Sequence, residues 1–220
     1  MKRKNLLPTD KYTLRKGKVL GLRTCDANLQ AYCQFQWKAG WNTAPDWLPT
    51  QECGNGLHFL LWGEGDSSHL DTSDTAKWLI VEADAKSIID LDGKHKAETV
   101  FAWVFEDRKS AIEFLQKHAP QGVKIHYSTN SGEYGSTNSG GDYSTNSGGD
   151  CSTNSGGDCS TNSGGDCSYF IGGKNTVFVS RYFDGKNRQV SVAICGKDVE
   201  VGKKYKCVQG VFSLVEEKIK

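Results

Sequence analysis

Short runs of apolar and β-branched residues, separated by polar or turn-forming clusters, recur along the chain and predict strands rather than long helices. In the first half these are Val19–Thr24 (VLGLRT), Leu57–Trp62 (LHFLLW), Trp78–Ala83 (WLIVEA) and Thr99–Phe105 (TVFAWVF), with Ile88–Leu91 as a shorter apolar piece before an Asp92-Gly93 turn. Between the first two runs, Pro45 and Pro49 bracket Asp46-Trp47-Leu48, and Cys53-Gly54-Asn55-Gly56 has the composition of a tight turn. A residue that precedes proline is kept out of the helical region, so this stretch reads as extended or turn structure. Thr72–Ala76 reads as a single helical turn capped by Asp71 or Thr72. The one helical periodicity of useful length follows Asp107, with Ala111, Ile112, Phe114 and Leu115 as its apolar stripe and Pro120-Gln121-Gly122 as its stop, predicting a helix over Arg108–His118.

The pattern then changes to tandem octapeptides: STNSGEYG from Ser128, STNSGGDY from Ser136, and STNSGGDC from Ser144, Ser152 and Ser160. A sixth starts at Ser168 and breaks off at once. A flexible linker would explain the Ser and Gly content, but it would not need the retained Thr-Asn-Ser core or the absence of insertions, both of which a stacked array needs. Four extended residues span roughly 13 Å before the Gly-Gly turn, so one octad supplies a single strand and two octads make a flat coil, with successive coils ~4.8 Å apart. Alternation then puts Thr and the second Ser on one face and the first Ser and Asn on the other, and residues this small let the sheets approach closely with Asn or Ser ladders between them. Beyond Tyr169 the signals are Thr176–Tyr182, a turn at Asp184–Asn187, Arg188–Cys195, Lys204–Val208 and Val211–Val215. The expected architecture is an α+β N-terminal module (1–126), a short two-sided β-solenoid of octapeptide repeats (127–169) and a C-terminal β-hairpin cap (170–220).

Composition narrows the function classes. Lys plus Arg number 27 against 26 Asp plus Glu, so no global field favours nucleic acid or an anionic membrane. The charge is uneven, with seven bases and one acid over residues 2–18 and only acids (Glu133, Asp142, Asp150, Asp158, Asp166) in the octads. These read as a solvated basic arm and an acidic solenoid edge. No apolar stretch reaches membrane-spanning length and the basic start lacks a following apolar h-region, which predicts a cytoplasmic protein with no membrane partner. Of eight cysteines, Cys151, Cys159 and Cys167 close successive octads, and the others lack zinc-type spacing.

The phrase APDWLPTQECGNGLHFLLWGEGD (Ala44–Asp66), then WLIVE at Trp78–Glu82 and DLDGKHK at Asp90–Lys96, resembles an uncharacterised bacterial and phage family in which a similar module precedes octads of the type GTATAGDR. The octads themselves also resemble those of ice-nucleation proteins, of the type STQTAGED, from which STNSGGDC departs by replacing a Thr-x-Thr pair with Thr-x-Ser. That second resemblance implies an ice-binding surface. Arg23, His58 and Glu82 on successive strands resemble the sparse residue pattern of ADP-ribosyltransferase folds, and imply a catalytic module if their side chains converge.

Other chemistry is thinner. Cys53 and His58 can be read as a thiol–imidazole pair or half a metal site, but no second pair with metal spacing exists, and a strand histidine beside Gly-Asn-Gly reads as a structural one. The Gly-Gly-Asp turns supply too few oxygens for calcium. The tryptophans at 37, 41, 47, 62 and 78 read as core, with Trp47 and Tyr143 marking a contact surface if exposed. The resulting expectation is a non-enzymatic interaction or scaffold protein without cofactor or metal, partnered by protein and associating with itself as a homodimer through open strand edges. An exposed ladder of Thr145, Thr153 and Thr161 would favour ice instead. With residues sixteen apart stacked, Cys151 lies beside Cys167 on one edge and Cys159 beside Tyr143 on the other.

Overall fold

The computed structural model describes residues 7–8, 12–31 and 34–216, and the chain divides into two compact units, Met1–Gln121 and Gly122–Lys220. Lys2, Arg3, Lys4, Lys11 and Asp10 of the basic arm lie outside the described residues.

In the first unit the predicted apolar runs become β1 (Lys18–Cys25), β3 (Leu57–Leu61), β4 (Lys77–Asp84) and β7 (Thr99–Phe105). They are joined by β2 (Gly40–Thr43), β5 (Ile89–Asp90) and β6 (His95–Ala97) in an antiparallel sheet of order β2-β7-β4-β1-β3-β6-β5. Helix α1 (Arg108–His118) occupies its predicted span, its Asp107 cap accepting from the Ser110 amide at 2.8 Å. Ala111, Ile112 and Leu115 are buried, and the helix packs on β4, β1 and β7. A second cluster, including Leu57, Phe59, Leu79, Val81, Val100 and Ala102, fills the opposite face, which is why β4 is buried from Trp78 to Ala83. Gly21 leaves the space that Phe59 occupies over β1. The predicted helical turn at 72–76 is instead an ordinary turn, and the 3-10 turn is Ser67–His69, where Asp66 accepts from the Ser68 amide. Asp71 makes the same two-residue contact with Ser73, so both sites had capping chemistry and only one continued into a helical turn.

In the second unit each octad supplies one strand: β8 (Thr129–Ser131), β9 (Thr137–Ser139), β10 (Thr145–Ser147), β11 (Thr153–Gly156) and β12 (Thr161–Gly164). Pairing is parallel between residues sixteen apart, Thr129 with Thr145 and Thr161, Thr137 with Thr153, so two octads make one coil. The array does not end at Ser168. Strands β13 (Tyr169–Gly172) and β14 (Val177–Phe183) continue the parallel register, Thr153 pairing with Tyr169 and Thr161 with Val177. The octad spacing survives there with Gly172-Gly173 still in the turn; the inward Asn gives way to Phe170 and Phe178, and the outward Thr and Ser to Tyr169 and Ile171 on one sheet and to Val177 and Val179 on the other. Antiparallel β15 (Arg188–Ile194) then closes on β14, and β16 (Lys204–Val208) on β13, with β17 (Val211–Leu214) beyond it.

The interior of the repeats is polar. Asn130 Nδ2 donates to Asn146 Oδ1 (2.9 Å), Asn146 to Asn162 (2.9 Å) and Asn138 to Asn154 (3.0 Å). The second amide hydrogen goes to the Ser two residues earlier, as from Asn146 to Ser144 Oγ at 3.0 Å. Ser144 bonds Ser160 and Ser152 bonds Ser168 between coils. At the array's end Asn162, whose next rung is Phe178, donates to the Ile171 carbonyl at 2.8 Å. From there the interior is apolar, built from Phe170, Phe178, Ala193, Cys195, Tyr205 and Cys207.

The turns work differently from a simple Gly-Gly reversal. The left-handed residue of each octad is the eighth: Tyr143, Cys151, Cys159, Cys167 and, in the degenerate unit, Asn175, with φ between 53° and 59°. The paired glycines are demanded by space, since a Cβ on Gly157 or Gly165 would collide with Oδ1 of Asp142 or Asp150. Those carboxylates accept the backbone amide sixteen residues on, Asp142 from Asp158 (2.9 Å), Asp150 from Asp166 (3.0 Å) and Asp158 from Lys174 (2.7 Å). His126 opens the same ladder, its Nδ1 accepting from the Asp142 amide at 2.8 Å.

Replacing Asn146 by Ala strands the Asn130 donor and the Asn162 acceptor, and each unsatisfied buried group costs about 1–3 kcal/mol. We expect Asn146→Ala to lose about 2–4 kcal/mol in denaturant unfolding, while the outward-facing Thr145→Ala stays within about 0.5 kcal/mol of wild type.

Candidate functional site

The outward rows of the solenoid are its most regular surface. On the sheet β8-β10-β12-β14, Thr129, Thr145 and Thr161 form one exposed column, and Ser131 with the half-buried Ser147 and Ser163 a second, the two continuing into valines 177 and 179. Thr145 and Thr161 have no side-chain hydrogen-bond partner among the described residues, so their hydroxyls are open to solvent. The spacing is ~4.8 Å between rungs and roughly 6.6 Å between columns. On the opposite sheet the rows are shorter: Thr137 and Thr153 end at Tyr169, whose ring carries the Lys204 ammonium at 4.6 Å, and Ser155 spends its hydroxyl on Ser139 at 3.0 Å. Thr145, Thr153 and Thr161 are therefore not one ladder. Thr145 and Thr161 share a face and Thr153 lies on the other, because successive octads alternate between sheets.

Residues 19–104 match a family profile described as a domain of unknown function, DUF7666. The chain is also similar to ice nucleation proteins: 36% identical over 115 residues to that of Pseudomonas syringae pv. syringae, covering 51% of this chain and 10% of the relative. Likewise it is 30% identical over 106 residues to that of Xanthomonas campestris pv. translucens, 47% of this chain and 7% of the relative. With ice nucleation protein InaU of Pantoea ananas the identity is 31% over 108 residues, 48% of this chain and 10% of the relative. The chain spans a tenth or less of the length of these curated relatives. No solved structure matches it. The findings support a repeat protein whose β-solenoid follows an uncharacterised module and whose octads resemble ice-nucleation repeats. No helix among the described residues is long and apolar enough to cross a membrane.

The solenoid edges carry the eighth residues. Gly135, Cys151 and Cys167 succeed one another on one edge, the Gly135 and Cys151 amides donating to the Asp150 and Asp166 carbonyls of the next coil; Tyr127, Tyr143, Cys159 and Asn175 do so on the other, the first three bonded to the next coil and Asn175 to Cys195. The Tyr127 and Tyr143 rings stack at 5.1 Å and 5°. Cys151 and Cys159 are exposed thiols outside any disulfide, Cys151 beside the Tyr134 hydroxyl, and Cys167 is a half-buried thiol. Burial and the neighbouring Asp166 push the Cys167 thiol above its ordinary pKa, with Cys151 close enough to add to the effect. The Gly-Gly-Asp carboxylates are spent on the turn amides, and no cluster of three or more potential metal ligands occurs among the described residues.

In the first unit the structure separates the three residues singled out as catalytic candidates. Arg23 lies opposite Leu79 and Glu82 opposite Leu20, so they project from opposite faces of β1–β4. Glu82 is 4% exposed and held by the Arg15 guanidinium and by the Tyr12 hydroxyl at 2.7 Å; burial and then this carboxylate push the Tyr12 phenol up. Arg23 Nη1 donates to the His58 carbonyl at 3.2 Å, not to its ring. His58 Nε2 accepts from the Gly54 amide at 3.4 Å, and burial, then Lys94, Arg23 and Lys96, push its pKa down to about 4. It is a neutral structural histidine that pins the Gly54–Gly56 turn, with no bond to Cys53. Trp47 is half-buried rather than a free contact surface, with the Lys96 ammonium 5.8 Å from its ring, and of the tryptophans assigned to the core Trp41 is exposed.

Sequence reasoning missed Lys96, which is fully buried and donates to the carbonyls of Glu52 (2.9 Å) and Gly54 (3.1 Å). No local signal marks it, since its neighbours in DGKHK are polar. His126 was recoverable, being sixteen residues before Asp142.

The edge geometry carries a chemical test. Mild oxidation followed by peptide mass mapping should link Cys151 to Cys167 and leave Cys159 unlinked to either, because only the first two share an edge.

Proposed function

We propose that the solenoid presents a water-ordering, ice-binding face, displayed on a non-enzymatic scaffold. One observation carries this: the Thr145–Thr161 column, beside Ser147 and Ser163, holds unpartnered hydroxyls on a flat rigid lattice. The β-branched Thr side chains are restricted at χ1, so the cost of fixing hydroxyl and methyl positions is already met in folding and an ordered water layer forms at little further entropic expense. The similarity to proteins named for ice nucleation supports the reading. Three rungs at ~4.8 Å span only ~10 Å, which suits adsorption to existing ice rather than templating a new crystal. A cytoplasmic setting with reduced repeat thiols belongs to the same proposal.

In an ice-recrystallisation assay the full chain should slow crystal coarsening. Thr145→Lys with Thr161→Lys should raise the concentration required roughly tenfold, a loss of about 1.4 kcal/mol. Thr153→Lys, on the other sheet, should not. Absence of any effect of the full chain on ice, or equal loss from both variants, would remove the proposal.

A second reading, self-association as a homodimer, is favoured by the open sheets: β9 has β11 as its one strand partner among the described residues, and β17 has β16. Sedimentation should show a dimer in the micromolar range; a monomer throughout would dismiss it.

A further inference from the structure

The first unit contains a cavity of about 890 Å³ that the solenoid reading leaves unused. Strands β1 and β3 pair only at Gly21–Leu61 and Leu22–Leu60 and then diverge, and the cavity opens along this split, lined by Leu22, Arg23 and Leu57–Leu60 and closed by the Cys53–Gly56 turn. Its volume lies in the ~300–1,000 Å³ range of small-molecule sites. The turn that forms one wall is held from behind by buried Lys96 and by His58, so the wall is fixed before any ligand arrives.

The lining carries an excess of positive charge. Arg23 and Lys94 contribute full positive charges, against a single carboxylate, Asp46. His69, also in the lining, is balanced by Asp66 at 3.7 Å. Lys96 adds its charge from behind the wall. The depressed pKa of His58, caused after burial by Lys94, Arg23 and Lys96, reports that these cations act on one point. Arg23 spends Nη1 on the His58 carbonyl, lays its guanidinium over Trp37 at 5.6 Å and lies beside the Cys25 thiol; its Nε is closed off inside the wall, and its positive charge is what it offers the cavity. A guanidinium and an ammonium at an otherwise largely apolar wall are best matched by an anionic oxygen, to which both can donate charge-assisted hydrogen bonds. The rest of the lining is apolar, including Phe35, Pro45, Leu60 and Leu70, with Phe35 set edge-on to Trp37 at 5.6 Å.

We propose that this cavity binds a small organic phosphate of nucleotide type, with the phosphate at Arg23 and Lys94 and a planar ring against Phe35 and the leucines. An inorganic anion alone would occupy a small part of the volume and leave the apolar wall wet. A neutral nucleoside would leave the Arg23 and Lys94 charges uncompensated.

The test is calorimetric titration of the full chain with the four common nucleoside monophosphates, with adenosine and inorganic phosphate as separate arms, and a melting-temperature measurement on every variant. At least one monophosphate should bind saturably with a one-to-one stoichiometry, and adenosine and inorganic phosphate at least tenfold more weakly. Lys94→Met should weaken binding roughly tenfold, which corresponds to 1.4 kcal/mol, without lowering the melting temperature, and Lys94→Arg should restore it. Raising salt should weaken binding. No saturable binding by any of the four, phosphate binding as tightly as the nucleotides, or affinity unchanged in Lys94→Met would each overturn the proposal.

Discussion

The solenoid rests on one constraint: a buried side-chain amide must find all its hydrogen-bond partners, because the interior of the repeats offers no water to supply them. Asn146 is fully buried and meets that demand by giving one hydrogen to Ser144, the other to Asn162, and accepting from Asn130. Each rung therefore satisfies its neighbours only if the next octad repeats at the same position, sixteen residues away. A single inserted residue would turn the Asn outward and the Thr inward and unpair every rung beyond it. This explains why the octads tolerate Cys or Tyr at the eighth position yet keep Ser, Thr, Asn and Ser at the first four.

The same constraint dictates how the array ends. An Asn ladder cannot simply stop, since its last acceptor or donor would be orphaned. Asn162 meets a backbone carbonyl, that of Ile171, and the following rungs replace Asn with Phe170 and Phe178, which need no partner. Exchanging a polar interior for an aromatic one also changes what lies outside: threonine gives way to Val177 on one sheet and Tyr169 on the other. The antiparallel β15 and β16 then close both sheets over the aromatic cluster. The hydroxyl face is thus bounded by the interior chemistry beneath it.

The first unit uses buried polarity differently. Lys96 is buried without a carboxylate and is instead solvated by two carbonyls of the turn it supports and by the face of Trp47. Neutral His58 ties down the same turn from the other side. The outcome is a preformed wall beside Arg23 and Lys94, in a unit whose Glu82, the acid expected to join Arg23 and His58, is engaged on the opposite face with Tyr12 and Arg15.

Sequence alone determined much of this protein because its periodicities are local. The octad length fixed the two-strand coil and the sixteen-residue register, the alternation of Ser, Thr, Asn and Ser fixed which side chains share a face, though burial alone shows that Asn and the first Ser turn inward, and the capping of Asp107 with its apolar stripe fixed α1. The strand runs of the first unit were legible for the same reason, as was the C-terminal hairpin. What needed the tertiary structure was everything set by contacts between distant segments. Phe170 and Phe178 break the repeat as text but keep its spacing, and only packing against Tyr205 and Cys207 shows that they prolong the stack. The glycine pairs read as turn formers, whereas the Cβ atoms they lack would strike the next Ser at the first position, as at Gly156 and Gly164, and at Gly157, Gly165 and Gly173 a carboxylate a full coil away. Arg23 and Glu82 sit on paired strands, and whether they converge depends on a one-residue difference in register that composition does not encode. The burial of Lys96 and the split between β1 and β3 arise from the sheet's long-range pairing, so no pattern of neighbouring residues announces them.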